Sequence, residues 1–220
     1  MPSDPIQCYP CLVGDIGGTN ARFALINAAG DKPANIMVLA CSAYPDLYSA
    51  LRAYLQQFPS VTVRNACIGI ANPVQGDLVR MTNFDWMFSI EELRVSAGFD
   101  RLLVVNDFKA LATALPVLTP DEYRKIGGGH ALPGAPMALI GAGTGLGVSG
   151  LIPVGDAYVS LEGEGGHSTL PTVGVEEAEV ALQLEKIYTH VSAERVLSGP
   201  GIEQLYRDRK STRLNSSHRL

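Results

Sequence analysis

Residues 12–25 read LVGDIGGTNARFAL, two apolar runs joined by a bend that holds an aspartate, paired glycines and a threonine but no lysine. Strand-forming runs on either side of a glycine turn specify a strand–turn–strand unit. Backbone N–H groups in such a bend form an anion-binding concavity, and glycine lets an anion come close to the chain. On that reading Gly14, Asp15, Ile16, Gly17, Gly18 and Thr19 make a phosphate-binding turn whose amides stand in for lysine. Thr19 adds a hydroxyl donor. Asp15 is suited to hold Mg²⁺ through water, because that ion keeps its hydration and takes one or two carboxylates. The opposing reading is an ordinary tight hairpin.

The bend has an echo. Residues 141–150, GAGTGLGVSG, again set glycines and a threonine between strand-like runs, which makes Gly141, Gly143, Thr144 and Gly145 a second candidate phosphate turn. Gly145, Gly147 and Gly150 fit the dinucleotide spacing, but LIPVGDAYV follows as strand and turn where that motif needs a helix. No lysine-bearing P-loop pattern occurs.

Around these bends the chain reads as α/β. Three strands over 12–14, 21–27 and 36–42 precede a helical stripe of Leu47, Leu51, Tyr54, Leu55 and Phe58 that Pro59 stops. NACIGIA is a buried strand, with DLVRMT expected as its hairpin partner across Gly76. Ser89 and Glu92 have the spacing of a capping box for a helix through Ala97, closed by Gly98. RLLVVND has the continuous apolar run of a central parallel strand, and FKALATALP follows as a helix. Beyond the Gly/Pro-rich crossing IGGGHALPGAP, a second unit repeats the pattern in part and ends in a helix bearing Val180, Ala181, Leu184, Ile187 and Tyr188 on one side. The expected organisation is a small domain over 1–116, a partial larger one over 117–207, and a tail over 208–220.

Composition narrows the function. Of 220 residues, 46% are hydrophobic and 18% charged, the balance of a globular chain, and the net charge of −5 implies no basic face for nucleic acid. No apolar run is long enough for a membrane span, and MPSDPIQ lacks the features of a signal peptide, so the expectation is a cytoplasmic protein without a membrane or nucleic-acid partner. Cys8, Cys11, Cys41 and Cys67 all lie in the first third, and no second C-x-x-C or nearby histidine completes a metal site around Cys8 and Cys11. The tail DRKSTRLNSSHRL carries Arg209, Lys210, Arg213 and Arg219 against a single acid. Asp208 to His218 reads as one frame of a sequencing-adapter oligonucleotide, so the tail is taken as non-native and expected to be disordered.

Two further places carry candidate chemistry. VVNDFKALA sets Asn106 and Asp107 where a buried strand meets a helix, the end of an open α/β sheet at which ligands bind. A carboxylate there can take the proton of a hydroxyl attacking a γ-phosphorus, or it can merely cap the helix. LEGEGGHSTLP puts Glu162, Glu164 and His167 in a glycine-lined loop, able to bind metal, exchange protons or hold a polyol. Glu194 falls in the first turn of a short helix after Ser192, where it is either a ligand contact or a partner for the helix dipole.

In this order, GDIGGTNARFAL, MTNFDWMFSI, VVNDF, GAGTGLGVSGL, GEGGH and VSAERVLSGPGIEQLYR closely resemble the bacterial glucokinase family, from about Leu12 to Arg207. The resemblance implies a ribonuclease H-like (actin-like ATPase) fold of two α/β domains around a cleft, here with the second domain incomplete. It implies cytoplasmic ATP:D-glucose 6-phosphotransfer with ATP and Mg²⁺, and a homodimer. By that resemblance 14–19 and 141–147 are the two phosphate segments, and Asp107 is the base that deprotonates the 6-hydroxyl. Asn106, Glu164, His167 and Glu194 match positions that hold the other hydroxyls, and Trp86 is packing. The family chain continues beyond Arg207, and its adenine contacts have no counterpart here. A non-catalytic glucose-binding module and a broader-specificity hexokinase are the alternative readings.

Overall fold

Every second residue of the opening strands turns inward, and that alternation builds the core. The computed structural model describes residues 9–82 and 84–216, with side chains through Arg207, so Cys8 and the last four tail residues lie outside the described part. Strands β1 (Cys11–Ile16), β2 (Asn20–Ile26), β3 (Ala34–Ala40), β4 (Asn65–Ile70) and β7 (Arg101–Asn106) form one sheet in the order β3-β2-β1-β4-β7. The first three run antiparallel; β4 and β7 join parallel. Leu12, Ile16, Phe23, Leu25, Ile68, Ile70 and Val104 share its buried face. Against them packs α1 (Leu47–Leu55) through Leu47, Leu51 and Tyr54, and α2 (Ile90–Ala97) through Leu93. Removing that much apolar surface from water is the main stabilising term of this unit.

Two expectations need correction. DLVRMT does not pair with the buried strand: β5 (Leu78–Arg80) pairs with β6 (Met87–Ser89), because β4 already has β1 on one side and β7 on the other. RLLVVND is parallel as expected, yet β7 is an edge strand among the described residues, and Leu103 is 57% exposed. The α2 cap forms only in part as a capping box. Ser89 Oγ accepts from the Glu92 amide at 3.0 Å, and the Asp77 carboxylate takes the Glu91 amide at 2.9 Å.

Helix α3 (Asp107–Ala114) follows β7 directly. The chain divides into two units at Ala110/Leu111, within α3 and ahead of the expected boundary near residue 116. The first turn of α3 lies on β4, where a Cβ on Gly69 would sit 3.8 Å from Asp107 Cα and 3.9 Å from Ala110 Cβ. That contact carries these residues into the first unit.

The second unit is built on an antiparallel sheet in the order β10-β9-β8, from β8 (Met137–Ala142), β9 (Leu146–Val154) and β10 (Ala157–Leu161). Helix α4 (Val175–Glu185) buries Leu184, whereas Ile187, expected on the same side, is exposed. Helix α5 (Gly199–Ser216) continues through residues 208–216, where disorder was expected. No proline or glycine follows Gly201 to interrupt it. None of the described helices is long and apolar enough to cross a membrane.

Candidate functional site

The structure assembles one constellation in each unit. In the first, β1 and β2 enclose the bend 17–19, where the Gly17 amide donates to Asn20 O at 3.0 Å and Cys41 N donates to Thr19 O at 2.9 Å. Cys41 is buried directly behind the bend, and burial pushes its thiol pKa up. Gly14 is closely packed: a Cβ there would meet the Ile68 and Phe23 side chains at 3.3 Å. Gly18 and Thr19 remain exposed at the tip.

Asp15 leaves the opposite sheet face from that core, in register with Gly69, the residue against which Asp107 rests. Asp15 Oδ2 accepts from Arg22 Nη1 at 2.8 Å, and both side chains are about half exposed. Two carboxylates in one neighbourhood, one of them water-accessible, match what a largely hydrated Mg²⁺ takes. Among the described residues no group of three or more acidic, His or Cys side chains is placed to hold a metal ion.

At the start of α3 the contact to a first-turn amide three residues on comes from residue 106. Asn106 Oδ1 accepts from the Lys109 amide at 3.1 Å, so Asn106 is the residue that caps α3. Asn106 Nδ2 donates to Asp107 Oδ1 at 3.0 Å, and the Phe108 amide donates to the same oxygen at 2.9 Å. Burial raises the Asp107 pKa above the ordinary aspartate value; the Asp15 charge adds to that, while the donors to its carboxylate oppose it.

One member of this network escaped sequence reading. Asn72 is nearly fully buried, its carbonyl receives Asn106 Nδ2 at 3.3 Å, and its side chain bonds Arg80 O and Thr82 N. It sits in NPVQGD after β4, a stretch that resembles any turn, and only its place after a buried strand marks it out. Trp86 is packing as expected: it is buried, edge-on to Phe84, with Nε1 donating to Tyr44 O at 3.1 Å.

In the second unit the loop and the second bend meet. A 3-10 turn over Gly165–His167 packs on β9 so closely that a Cβ on Gly166 would overlap Leu146. A second 3-10 turn, Ala193–Arg195, carries Glu194; the bridge Thr169–Ser192 and the bond from Ala193 N to Ser168 O at 2.9 Å tie the two turns together. Ser192 makes no side-chain cap for that turn. His167 Nε2 lies 3.6 Å from Glu164 Oε2, and Nδ1 lies 3.9 Å from Glu194 Oε1. Glu194 Oε2 accepts from the Leu146 amide at 3.0 Å, beside Gly145. The bend itself closes through Gly143 N to Gly145 O, and Gly199 N donates to Gly143 O, both at 2.8 Å.

Glu164, His167 and Glu194 thus form one polar cluster at the rim of the second bend, with Glu164 and His167 open and Glu194 largely covered. A nearby cavity of about 890 Å³ is lined chiefly by Ile140, Leu146, Val148, Val180 and Leu197 and by none of those three. Its apolar wall offers little to hydroxyl groups.

A sequence model of a family described as Glucokinase matches residues 12–219, a span that runs into the segment read as non-native. A protein of Aromatoleum aromaticum named Glucokinase is 53% identical over 94% of this chain and 62% of its own length. One from Ralstonia nicotianae, also named Glucokinase, is 50% identical over 92% of this chain and 60% of its own. A solved structure described as glucokinase from an Antarctic psychrotroph superposes with a TM-score of 0.82 at 36% identity, covering 92% of this chain and 65% of that one. The chain therefore spans about three fifths of the length of these two curated relatives.

Proposed function

The chain belongs to the glucokinase family, and from that membership we propose that it carries the machinery transferring the γ-phosphoryl group of ATP to the 6-hydroxyl of D-glucose. Its fold is the actin-like ATPase fold of the sugar kinases, present in part. Asp107 accepts the 6-hydroxyl proton as the bond from O6 to the γ-phosphorus forms; the bond to the bridging oxygen breaks, and ADP leaves with that electron pair. Asn106 orients the Asp107 carboxylate and binds a neighbouring hydroxyl. Glu164, His167 and Glu194 bind the remaining hydroxyls, which a site of paired polar groups discriminates better than an apolar pocket does. The glycine bends at 14–19 and 141–147 hold phosphate oxygens through their amides. Asp15 would hold Mg²⁺ through water, and the ion would supply neutralisation of phosphate charge. The proposal includes a cytoplasmic location and a homodimer, both carried by family resemblance alone.

The observation that carries this reading is the division of work at residues 106 and 107. Asn106 caps the helix, and Asp107 is left with a raised proton affinity at the end of a parallel strand. The test is the position of transfer. With ATP and glucose the product assigned by phosphorus NMR is glucose 6-phosphate, and 6-deoxyglucose yields no sugar phosphate; transfer to any other hydroxyl contradicts the assignment.

A further inference from the structure

Glu194 belongs to two constellations at once. One carboxylate oxygen, Oε2, holds the Leu146 amide at the end of the second glycine bend; the other, Oε1, faces His167 across 3.9 Å. The carboxylate lies flat against the bend, since a Cβ on Gly145 would come within 2.5 Å of Oε2. Three quarters of the side chain is covered, with 24% exposed, whereas His167 and Glu164 are mostly open. An amide of the segment read as a phosphate cradle is therefore occupied by an anionic side chain that also borders the polyol cluster.

We propose that Glu194 is a positioning residue that couples occupancy of the polyol cluster to phosphate binding at the second bend. The proposal rests on the reading of both as ligand sites. A carboxylate against the Gly145–Leu146 backbone repels an incoming phosphate. Hydroxyl donors from a bound sugar compete for that carboxylate and draw it toward His167, which frees the amide and relieves the repulsion. Sugar then strengthens phosphate binding, and by linkage phosphate strengthens sugar binding by the same factor.

The test is calorimetric titration of the whole chain with glucose, with and without saturating magnesium tripolyphosphate. In the unaltered protein the polyphosphate raises glucose affinity about five-fold or more, the lower range of measured couplings. Glu194→Gln keeps the shape and an acceptor for Leu146 but removes the charge. It binds tripolyphosphate more tightly than the unaltered chain when no sugar is present, and its coupling falls to near unity. That gain of affinity is not what a damaged fold produces. Gly145→Ala is the second variant: the nearest atoms its Cβ meets belong to the Glu194 side chain, and Gly145 is not in the left-handed region, so it displaces the carboxylate from the Leu146 amide and lowers the coupling between glucose and tripolyphosphate; full coupling in this variant overturns the inference. Glucose binding without any effect of tripolyphosphate overturns the inference and leaves the kinase reading intact. Coupling that persists in Glu194→Gln overturns it as well. Failure of the unaltered chain to bind glucose at all brings down both.

Discussion

Asp107 is held in a state that favours its own protonation. In the unfolded chain its pKa is ordinary; in the folded one burial and then the Asp15 charge raise it. The folded state consequently binds more protons between the two values, and stability falls as pH rises through the folded value. Asp107→Asn removes a charge that is unfavourable in place, so the variant should melt at a higher temperature than the parent at neutral pH. The difference should vanish in acid, below the ordinary aspartate range. A lower melting temperature at neutral pH would show that the carboxylate stabilises the fold. The same shift sets kinetics: kcat/KM should fall on the acid side at a pH above that of an ordinary aspartate, and Asp15→Asn should move that fall to lower pH. An acid limb unmoved by Asp15→Asn would remove Asp15 from the set of groups acting on Asp107.

Among the elements, the link from β4 to β5 carries more than its turn-like sequence suggests. Asn72→Ala leaves Arg80 O and Thr82 N without the side chain that pairs them, at a cost of about 1–3 kcal/mol. Because the Asn72 carbonyl also receives Asn106, kcat should drop more than glucose affinity; unchanged kcat with lost stability would confine Asn72 to the fold. Gly98, at φ +72, ends α2 in the left-handed region, and Gly98→Ala should cost about 1 kcal/mol by urea unfolding. A neutral result would mean the helix end rearranges. The strands were legible because their apolar runs are bounded by glycine and polar residues, and α2 because both ends carry capping chemistry. Pairing was not legible: nothing in DLVRMT says that both sides of NACIGIA are already taken. The polar cluster was readable only as separate motifs, since the contact between Glu194 and Leu146 spans residues far apart in the chain.

For the molecule as a whole, the exposed apolar surface is what a bare edge predicts. Leu103 stands 57% exposed on β7, which has no neighbour beyond it among the described residues. Such edges invite pairing with another chain. Leu103→Lys should reduce concentration-dependent light scattering while changing the unfolding free energy by no more than about 0.5 kcal/mol. A large loss of stability would show that Leu103 is part of the packing. The central claim concerns chemistry, and one comparison tests it: turnover and glucose affinity measured side by side for Asp107→Asn and its parent. A drop in kcat of about 100-fold or more, with glucose binding largely kept, is the expected result for loss of a general base. Normal phosphorylation by the variant would contradict the account at its root.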